Sequence, residues 1–198
     1  MSEKILVLSD IHGNMPAVVA VLRWAAGELE DSDMAVFLGD GLRELSFAQQ
    51  QAGLSCGWKK VRGNNDDYAS LIGGASLRDG ASLRDAALAP EFDVFDFGGH
   101  RFYLCHGHRH ALYNGFDKLA ASARKAGADA ALFGHIHVPC LEDADGLLLV
   151  NPGGIGRPRS NAGETFAIIE CMPEKPLVVQ FWGIESDCGI SRLIIKKG

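Results

Sequence analysis

The stretch Ile5-Leu6-Val7-Leu8-Ser9-Asp10-Ile11-His12-Gly13-Asn14 joins an apolar run to a short polar segment. The apolar run predicts a buried strand, and Gly13 and Asn14 indicate a turn where that strand ends. Asp10 and His12 are two residues apart, and on an extended segment such side chains point the same way. The stretch therefore predicts that a carboxylate and an imidazole are directed at one point just beyond a buried strand.

Similar polar side chains follow other apolar runs of the chain. A second pair, His135 and His137, follows one such run, and Asp40, Asn64 and His106 each follow another. A glycine lies beside the polar side chains at each of these strand ends, where it permits tight turns and close backbone approach. Because ligands bind at the carboxyl ends of strands in α/β sheets, we expect these side chains to meet in one crevice.

Strand-like and helix-like segments alternate over the first two-thirds of the chain, and only strand-like segments follow residue 147. The predicted helices are 15–30, 43–52 and 116–126. The predicted strands are 4–9, 34–38, 58–62, 92–97, 101–105, 130–133, 147–150, 165–170, 177–183 and 190–195. This order indicates an α/β protein in which two sheets pack together with helices outside. The length favours a single domain over residues 1–198.

The residue types at the strand ends favour a pair of cations. Seven candidate ligands exceed the four donors of a structural zinc site, and none of them is a cysteine. A mixed set of nitrogen and oxygen donors suits Mn²⁺, Fe²⁺, Zn²⁺ or Ni²⁺. A single strand-end aspartate is most often a turn or cap residue. The coincidence of seven such residues at five strand ends nevertheless favours a functional site.

The composition indicates in which cellular compartment the protein is found and which classes of partner it binds. Five scattered cysteines without a C-x-x-C pair favour reduced thiols and a cytoplasmic location. The apolar runs are too short for a signal-peptide core or a bilayer-spanning helix, so no membrane association is expected. The net charge of -6 disfavours a long nucleic acid as partner. A small phosphorylated substrate remains possible, because bound divalent cations would reverse the local potential.

Six motifs carry a family resemblance, and they are Ser9-Asp10-Ile11-His12-Gly13-Asn14, Leu38-Gly39-Asp40, Val61-Arg62-Gly63-Asn64-Asn65-Asp66, Cys105-His106-Gly107-His108, Phe133-Gly134-His135-Ile136-His137 and Asn151-Pro152-Gly153-Gly154. In this order they resemble the calcineurin-like metallophosphoesterases, most closely the small single-domain YfcE-like phosphodiesterases. The resemblance covers roughly residues 5–170. A lone Asp-x-His would be a weak signal, whereas six motifs in the family's order are a strong one.

The resemblance implies a four-layer α/β/β/α sandwich of two mixed β-sheets flanked by helices, with two divalent metal ions. Mn²⁺ is the first candidate, and Ni²⁺, Zn²⁺, Fe²⁺ and Mg²⁺ are alternatives. The implied ligands are Asp10, His12 and His137 for one metal, Asp40 as the bridging carboxylate, and Asn64, His106 and His135 for the other. The implied reaction is hydrolysis of small phosphate esters through in-line attack by a hydroxide held on the two metals.

The chain departs from the family pattern at the residue that donates a proton to the leaving group. Many members have a histidine there, whereas this chain has Asn65, which cannot act as a general acid. Substrates with good leaving groups, or aryl phosphodiesters, would suffer least from the absence of this proton donor. His108 is a substitute proton donor, or alternatively a residue that orients a ligand. The expected substrate contacts are Asn14, Asn65 and Arg159.

Three interpretations stay open at this point. An interaction protein on the same fold, like the family's retromer scaffold subunit, is the rival to a hydrolase and predicts eroded metal ligands. Relatives form dimers or tetramers, so a homodimer or homotetramer is possible. The repeated segment over residues 75–85 is interpreted as a surface loop or short helical excursion, with a flap over the site as the alternative.

Overall fold

The computed structural model describes residues 2–66 and 88–194. The repeated segment 75–85 lies outside the described residues. Three helices are present in the described part: α1 (Met15–Glu28), α2 (Leu42–Ala52) and α3 (Asp117–Lys125). A 3₁₀ helix covers Leu112–Asn114. The strands are β1 (Glu3–Leu8), β2 (Met34–Phe37), β3 (Gly57–Lys60), β4 (Phe92–Phe97), β5 (His100–Cys105), β6 (Ala130–Phe133), β7 (Pro139–Ala144), β8 (Leu147–Pro152), β9 (Glu164–Cys171), β10 (Val178–Ile184) and β11 (Ile190–Leu193).

The strands form two mixed sheets. The first sheet has the order β11-β10-β9-β1-β2-β3, in which β1, β2 and β3 are parallel and β9 is antiparallel to β1. The second sheet has the order β4-β5-β6-β8-β7, in which β5, β6 and β8 are parallel. The prediction of two mixed sheets is therefore confirmed. The parallel strands of each sheet end at one edge of that sheet.

The alternation of side chains along β1 explains the layers. Ile5 and Val7 pack between the two sheets against Phe102 and Leu104 of β5. Leu6 and Leu8 pack on the opposite face, against α1 and α2. Because both faces of the strand are covered, its sequence is a continuous apolar run rather than an alternating one.

The helices complete a four-layer α/β/β/α sandwich. The side chain of Asn14 caps α1 by accepting a hydrogen bond from the backbone N–H of Ala17 at 3.4 Å. Helix α2 ends at Gly53, whose φ of 69° is left-handed and suits glycine. Helix α3 buries Leu119 and Ala123 against the outer face of the second sheet. The predicted fold class and the three predicted helices are confirmed. The observed helix ends differ from the predicted ones by at most two residues.

The sequence analysis missed one strand, β7. It carries Glu142 and Asp143 and begins with Pro139, so it lacks the apolar run that marks the other strands. Proline is acceptable at the first position of this edge strand because the missing N–H need not join the ladder. No helix in the described ranges is long and apolar enough to cross a membrane.

Candidate metal centre

The candidate ligands lie where the parallel strands of the two sheets end. Backbone hydrogen bonds join neighbouring loops there: Asp10 N donates to Gly39 O at 2.9 Å, and Gly134 N donates to His106 O at 3.0 Å. Gly39 is required at its position, because a Cβ atom there would lie 2.3 Å from the backbone nitrogen of Gly63. The loops after β1, β2, β3, β5 and β6 thus meet in one place.

Asp10, His12 and His137 form the first ligand group. Their ligating atoms all lie within 4.8 Å of one another. Nε2 of His137 is 3.2 Å from Asp10 Oδ1 and 3.2 Å from Nε2 of His12. Asp10 and His137 are buried, and His12 is partly exposed. These are the three residues that the resemblance implied for one metal.

Asp10, Asp40 and His106 form a second group, and all three are buried. Asp40 Oδ2 lies 3.4 Å from Nε2 of His106 and 3.6 Å from Nε2 of His12. The Asp40 carboxylate therefore stands between a candidate ligand of the first group and one of the second, and its bridging role stays a prediction. Asp10 belongs to both groups, which the sequence analysis did not anticipate.

Hydrogen bonds to backbone carbonyls fix two of the imidazoles. Nδ1 of His106 lies 2.8 Å from Leu38 O, and Nδ1 of His137 lies 2.8 Å from Arg157 O. Because a carbonyl only accepts, each Nδ1 carries the hydrogen, which leaves the neutral ring a lone pair on Nε2. Both Nε2 atoms point into the ligand groups, which is how protein metal sites orient their histidines.

The spacing of the donor atoms fits a cation. Atoms bound at about 2.1 Å to one metal lie about 3.0–3.4 Å apart in octahedral or tetrahedral geometry. Nε2 of His137 lies 3.2 Å from both the Asp10 oxygen and the His12 nitrogen. Without a cation or a proton between them, these lone pairs would repel each other. Asp10 Oδ1 is also buried and finds no hydrogen-bond partner among the residues that the structure describes. The residues present therefore fit a divalent metal.

The environment of Asp10 keeps its carboxyl ionised. Burial raises the pKa of this group, but His12 and His137 lower it more, and the net shift is strongly downward. The other oxygen, Oδ2, accepts hydrogen bonds from Ser9 Oγ at 2.6 Å and from His135 N at 3.0 Å. One carboxylate oxygen is thus held by the protein, and the other faces the ligand nitrogens.

Neighbouring charges shift the pKa values of Asp40 and of the two buried histidines. Burial raises the pKa of Asp40, but His106 and the hydrogen bonds from Asn65 lower it, so the net shift is downward. Burial lowers the pKa of His106, but Asp40 and Asp10 raise it, so the net shift is upward. The pKa of His137 is likewise raised, because Asp10 outweighs burial. At these sites protons and metal ions compete for the same nitrogen atoms.

Five of the seven candidate ligands share an uncommon backbone conformation. Five residues without the freedom of glycine have left-handed φ angles at this centre: Asp10 (55°), His12 (42°), Asp40 (61°), His135 (71°) and His137 (57°). Such conformations cost about 1 kcal/mol or more each and cluster at functional sites. The surrounding hydrogen bonds hold the chain in turns that aim these side chains into the crevice.

Two predicted ligands flank the second group. Asn64 Oδ1 lies 3.1 Å from Nε2 of His106, and Asn64 is exposed. The ring of His135 contacts the ring of His106, with centroids 5.1 Å apart. Burial and the nearby His106 lower the pKa of His135, so its ring stays neutral and able to bind a metal. Their assignment as ligands stays a prediction.

Each of the three predicted substrate contacts already makes a hydrogen bond within the protein. Asn14 caps α1 and also donates from Nδ2 to Ile155 O at 2.9 Å. Asn65 donates to both oxygens of Asp40, from its backbone N at 2.8 Å and from Nδ2 at 2.5 Å. The observed contacts of these two amides are structural, and their substrate role stays a prediction. Arg159 is exposed and donates to the hydroxyl of Tyr113.

His108, the candidate proton donor, lies beside the second group. Its ring centroid is 5.5 Å from that of His106 and 6.3 Å from that of His135. Its Nδ1 atom is buried and finds no hydrogen-bond partner among the described residues. Burial, His106 and Arg109 lower its pKa, so the ring is mostly neutral at pH 7. A neutral ring must first gain a proton before it can act as a general acid.

Sequence reasoning assigned no role to Asp66, yet this buried carboxylate organises the centre. It accepts four backbone hydrogen bonds: from Asp40 N at 2.6 Å, and from Gly41 N, Leu42 N and Gly63 N at 2.9 Å each. These donors come from the start of α2 and the loop after β3. Asp66 therefore joins the loop that carries Asp40 to the loop that carries Asn64.

The centre opens into a pocket of about 220 Å³. Its lining includes two candidate ligands, His12 and Asp40, together with Asn65 and the exposed Arg43 at the start of α2. A small substrate could therefore reach the ligand groups from solvent. The crevice predicted from the ends of the strands is present.

The sequence profile of the calcineurin-like phosphoesterase superfamily domain matches residues 4–174. The chain belongs to this family. A calcineurin-like phosphoesterase depends on divalent metals, and the two ligand groups described above are where this chain would hold them. The predicted family is thus confirmed, and membership supports a hydrolase of phosphate esters.

Individual members of the calcineurin-like family are similar over most of the chain. The "Probable metallophosphoesterase" of Mycoplasma pneumoniae is 30% identical over 160 residues, which cover 79% of this chain and 82% of that protein. A predicted phosphoesterase from Streptococcus pneumoniae, solved by crystallography, is 27% identical with a TM-score of 0.70, covering 92% of this chain and 90% of its own. The phosphoesterase YfcE of E. coli, 20% identical with a TM-score of 0.58 over 98% and 100% of the two chains, shares the fold.

Proposed function

We propose that this protein is a metal-dependent phosphodiesterase that hydrolyses small phosphate esters at a two-metal centre. The observation that carries the proposal is the pair of ligand groups that share Asp10, with Asp40 Oδ2 between His12 and His106. Two adjacent cations need such shared carboxylates. Mn²⁺ is the first candidate metal, and Ni²⁺, Zn²⁺, Fe²⁺ and Mg²⁺ offer compatible ligand chemistry.

Bound divalent cations would activate water and neutralise charge on the phosphoryl group. The protein's contribution is to hold the ligands before substrate arrives. Carbonyl oxygens of Leu38 and Arg157 fix the rings of His106 and His137, and Asn65 fixes both oxygens of Asp40. Ligands held in this way need no reorganisation during the reaction, which favours catalysis.

The supply of protons to the leaving group supports esters with good leaving groups as substrates. The amide of Asn65 cannot supply a proton, and the lowered pKa of His108 leaves few protonated rings at pH 7. Esters whose leaving groups depart as stable anions need this proton least. We therefore propose aryl-type or similarly activated esters as the better substrates, with His108 as the proton donor where one is needed. Among these esters we propose diesters over monoesters, in keeping with the resemblance to phosphodiesterases.

The deciding experiment uses metal-stripped protein reloaded with Mn²⁺, Ni²⁺, Zn²⁺ or Mg²⁺. We expect metal-dependent hydrolysis of bis-p-nitrophenyl phosphate, at a higher kcat/KM than that of p-nitrophenyl phosphate. The two substrates share a leaving group, so the comparison isolates the diester preference. Equal or faster hydrolysis of the monoester would refute that preference. A folded, metal-loaded protein without turnover of either ester would refute the enzyme itself.

The affinity for metal is expected to fall with acidification. The pKa values of His106 and His137 are raised above their usual 6.5, and each ring must lose its proton to bind a metal. Affinity should therefore be highest above these raised values and fall as pH drops through them, by up to about tenfold per pH unit for each proton displaced. Calorimetric titration with Mn²⁺ at pH 8, 7 and 6 measures this change. An affinity independent of pH would contradict the assigned ligands.

The rival function, an interaction protein on the same fold, predicts that metal ligands are lost. Here the side chains of the two groups are present and close together, which favours the hydrolase. We also propose a small phosphorylated molecule as substrate rather than a long nucleic acid, in keeping with the net charge of -6. The cytoplasmic location, the absence of a membrane partner, the single domain over residues 1–198 and a homodimer or homotetramer stay predictions.

A further inference from the structure

Tyr113 stands at the rim of the metal centre. It lies in the 3₁₀ helix that follows the loop with His106 and His108, and its side chain is 66% exposed. Its ring packs against the ring of His135, with centroids 5.8 Å apart and planes inclined by 60°. A large aromatic side chain is thus in contact with a candidate metal ligand while most of its surface faces solvent.

Arg159 holds this tyrosine at its hydroxyl. Its guanidinium donates to the Tyr113 hydroxyl, and its backbone N donates to His137 O at 3.2 Å. The two contacts connect the loop after β8 with both His135 and His137. A phenol ring fixed at its hydroxyl and at its edge has little freedom left, so little entropy would be lost when a ligand stacks on it.

The positive charge of Arg159 is also available. Across residues 2–66 and 88–194, the ion pairs of arginine and lysine involve other side chains, and Arg159 pairs with no carboxylate. A guanidinium that uses one N–H on a phenol retains donors that can bind a phosphoryl oxygen.

We propose that Tyr113 and Arg159 form a recognition edge for phosphodiesters that carry a planar ring, an aryl group or a nucleobase. The proposal rests on the phosphodiesterase function above and specifies its substrate class. Arg159 binds a non-bridging phosphoryl oxygen, and the exposed face of Tyr113 stacks on the ring of an ester substituent. Stacking accepts any planar ring, so the pair selects a class of substrate rather than one compound.

A binding measurement tests this without turnover. Phenylphosphonate and methylphosphonate have a P–C bond that the enzyme cannot hydrolyse, and they differ in the ring. Calorimetric titration of the Mn²⁺-loaded protein is expected to show that phenylphosphonate binds about tenfold more tightly, in the range for stacking on one aromatic side chain. Equal affinity of the two phosphonates would overturn the proposal.

Variants separate the two roles. Tyr113→Ala is expected to bring the ratio of the two affinities close to one. Tyr113→Phe keeps the ring and loses only the bond to Arg159, so phenylphosphonate is expected to stay the tighter ligand. Arg159→Gln is expected to weaken both ligands by a similar factor. Arg192→Gln removes an equal charge from β11 and serves as the matched control, with no effect on either ligand. A preference that survives Tyr113→Ala or disappears in Tyr113→Phe would contradict stacking.

These measurements separate a failure of the recognition edge from a failure of the phosphodiesterase function. A protein that hydrolyses bis-p-nitrophenyl phosphate and binds both phosphonates equally would retain the phosphodiesterase function and exclude the aromatic edge. A protein that binds neither phosphonate and hydrolyses no ester would exclude both. A circular dichroism spectrum of each variant that matches the parent protein confirms that these exposed substitutions leave the fold intact.

Discussion

Asp40→Asn is expected to abolish binding of the metal pair while the protein stays folded. The substitution removes the negative charge shared between His12 and His106 and replaces one carboxylate oxygen by an amide nitrogen that faces the donors of Asn65. Metals bound as proposed would supply several kcal/mol of transition-state stabilisation, so turnover should fall by about a thousandfold or more. Metal analysis after dialysis against Mn²⁺ is expected to give fewer than two ions per chain.

Asp145→Asn is the matched control for that experiment. Like Asp40, with φ of 61°, Asp145 is an aspartate in a left-handed conformation, with φ of 50°. Asparagine tolerates this conformation as well as aspartate does, so neither variant strains the backbone. Asp145 is exposed in the turn between β7 and β8, away from the ligand groups. The control should keep both metals and full activity. Two metals bound to Asp40→Asn would refute the bridging role.

The metal centre was predictable because its signals are local. A polar residue beside a glycine, directly after an apolar run, identifies the end of a buried strand, as at Asp40 and His106. The parallel pairing of β1 with β2 and of β5 with β6 then brings these ends together. Knowing that such strands are parallel was enough to place the ligands, without any knowledge of the register.

The strand β7 was missed because its composition does not decide its conformation. Pairing with β8 makes it a strand, and the turn that joins them, Asp145-Gly146, is the sequence signal that could have revealed it. Both turn residues have positive φ angles of 50° and 83°, as a two-residue hairpin turn requires. An Asp-Gly pair before the apolar run of β8 was therefore the better indicator of structure here.

The roles of Tyr113 and Asp66 were not predictable for a different reason. Both depend on contacts between distant parts of the chain, which neither periodicity nor motif spacing describes. Tyr113 bonds to a residue 46 positions away, and the Asp66 carboxylate bonds to amides up to 26 positions away. An aspartate next to a motif asparagine looks like a turn residue until the backbone that it binds is known.

Asp66→Asn is expected to weaken both the fold and the metal centre. An asparagine offers one acceptor oxygen where the carboxylate accepts four backbone N–H groups, and its own NH₂ group would face two of those donors. Because hydrogen bonds to a buried charge contribute about 1.5–3 kcal/mol each, the free energy of unfolding should fall by about 3–5 kcal/mol. The loop that carries Asp40 would lose its support, and affinity for Mn²⁺ should fall by about 10–100-fold.

Asp33→Asn separates these two effects. Asp33 is as buried as Asp66, at 5% exposure each, and accepts backbone hydrogen bonds from Lys4 N at 2.7 Å and Glu30 N at 2.9 Å. It lies beside the start of β1, whereas Asp10 follows the end of that strand. Urea unfolding should therefore show a loss of stability in both variants, while calorimetry should show weaker Mn²⁺ binding only in Asp66→Asn. If both variants bound Mn²⁺ as tightly as the parent protein, Asp66 would stabilise the fold without positioning Asp40, because a carboxylate that positions a ligand must affect the metal as well as the fold.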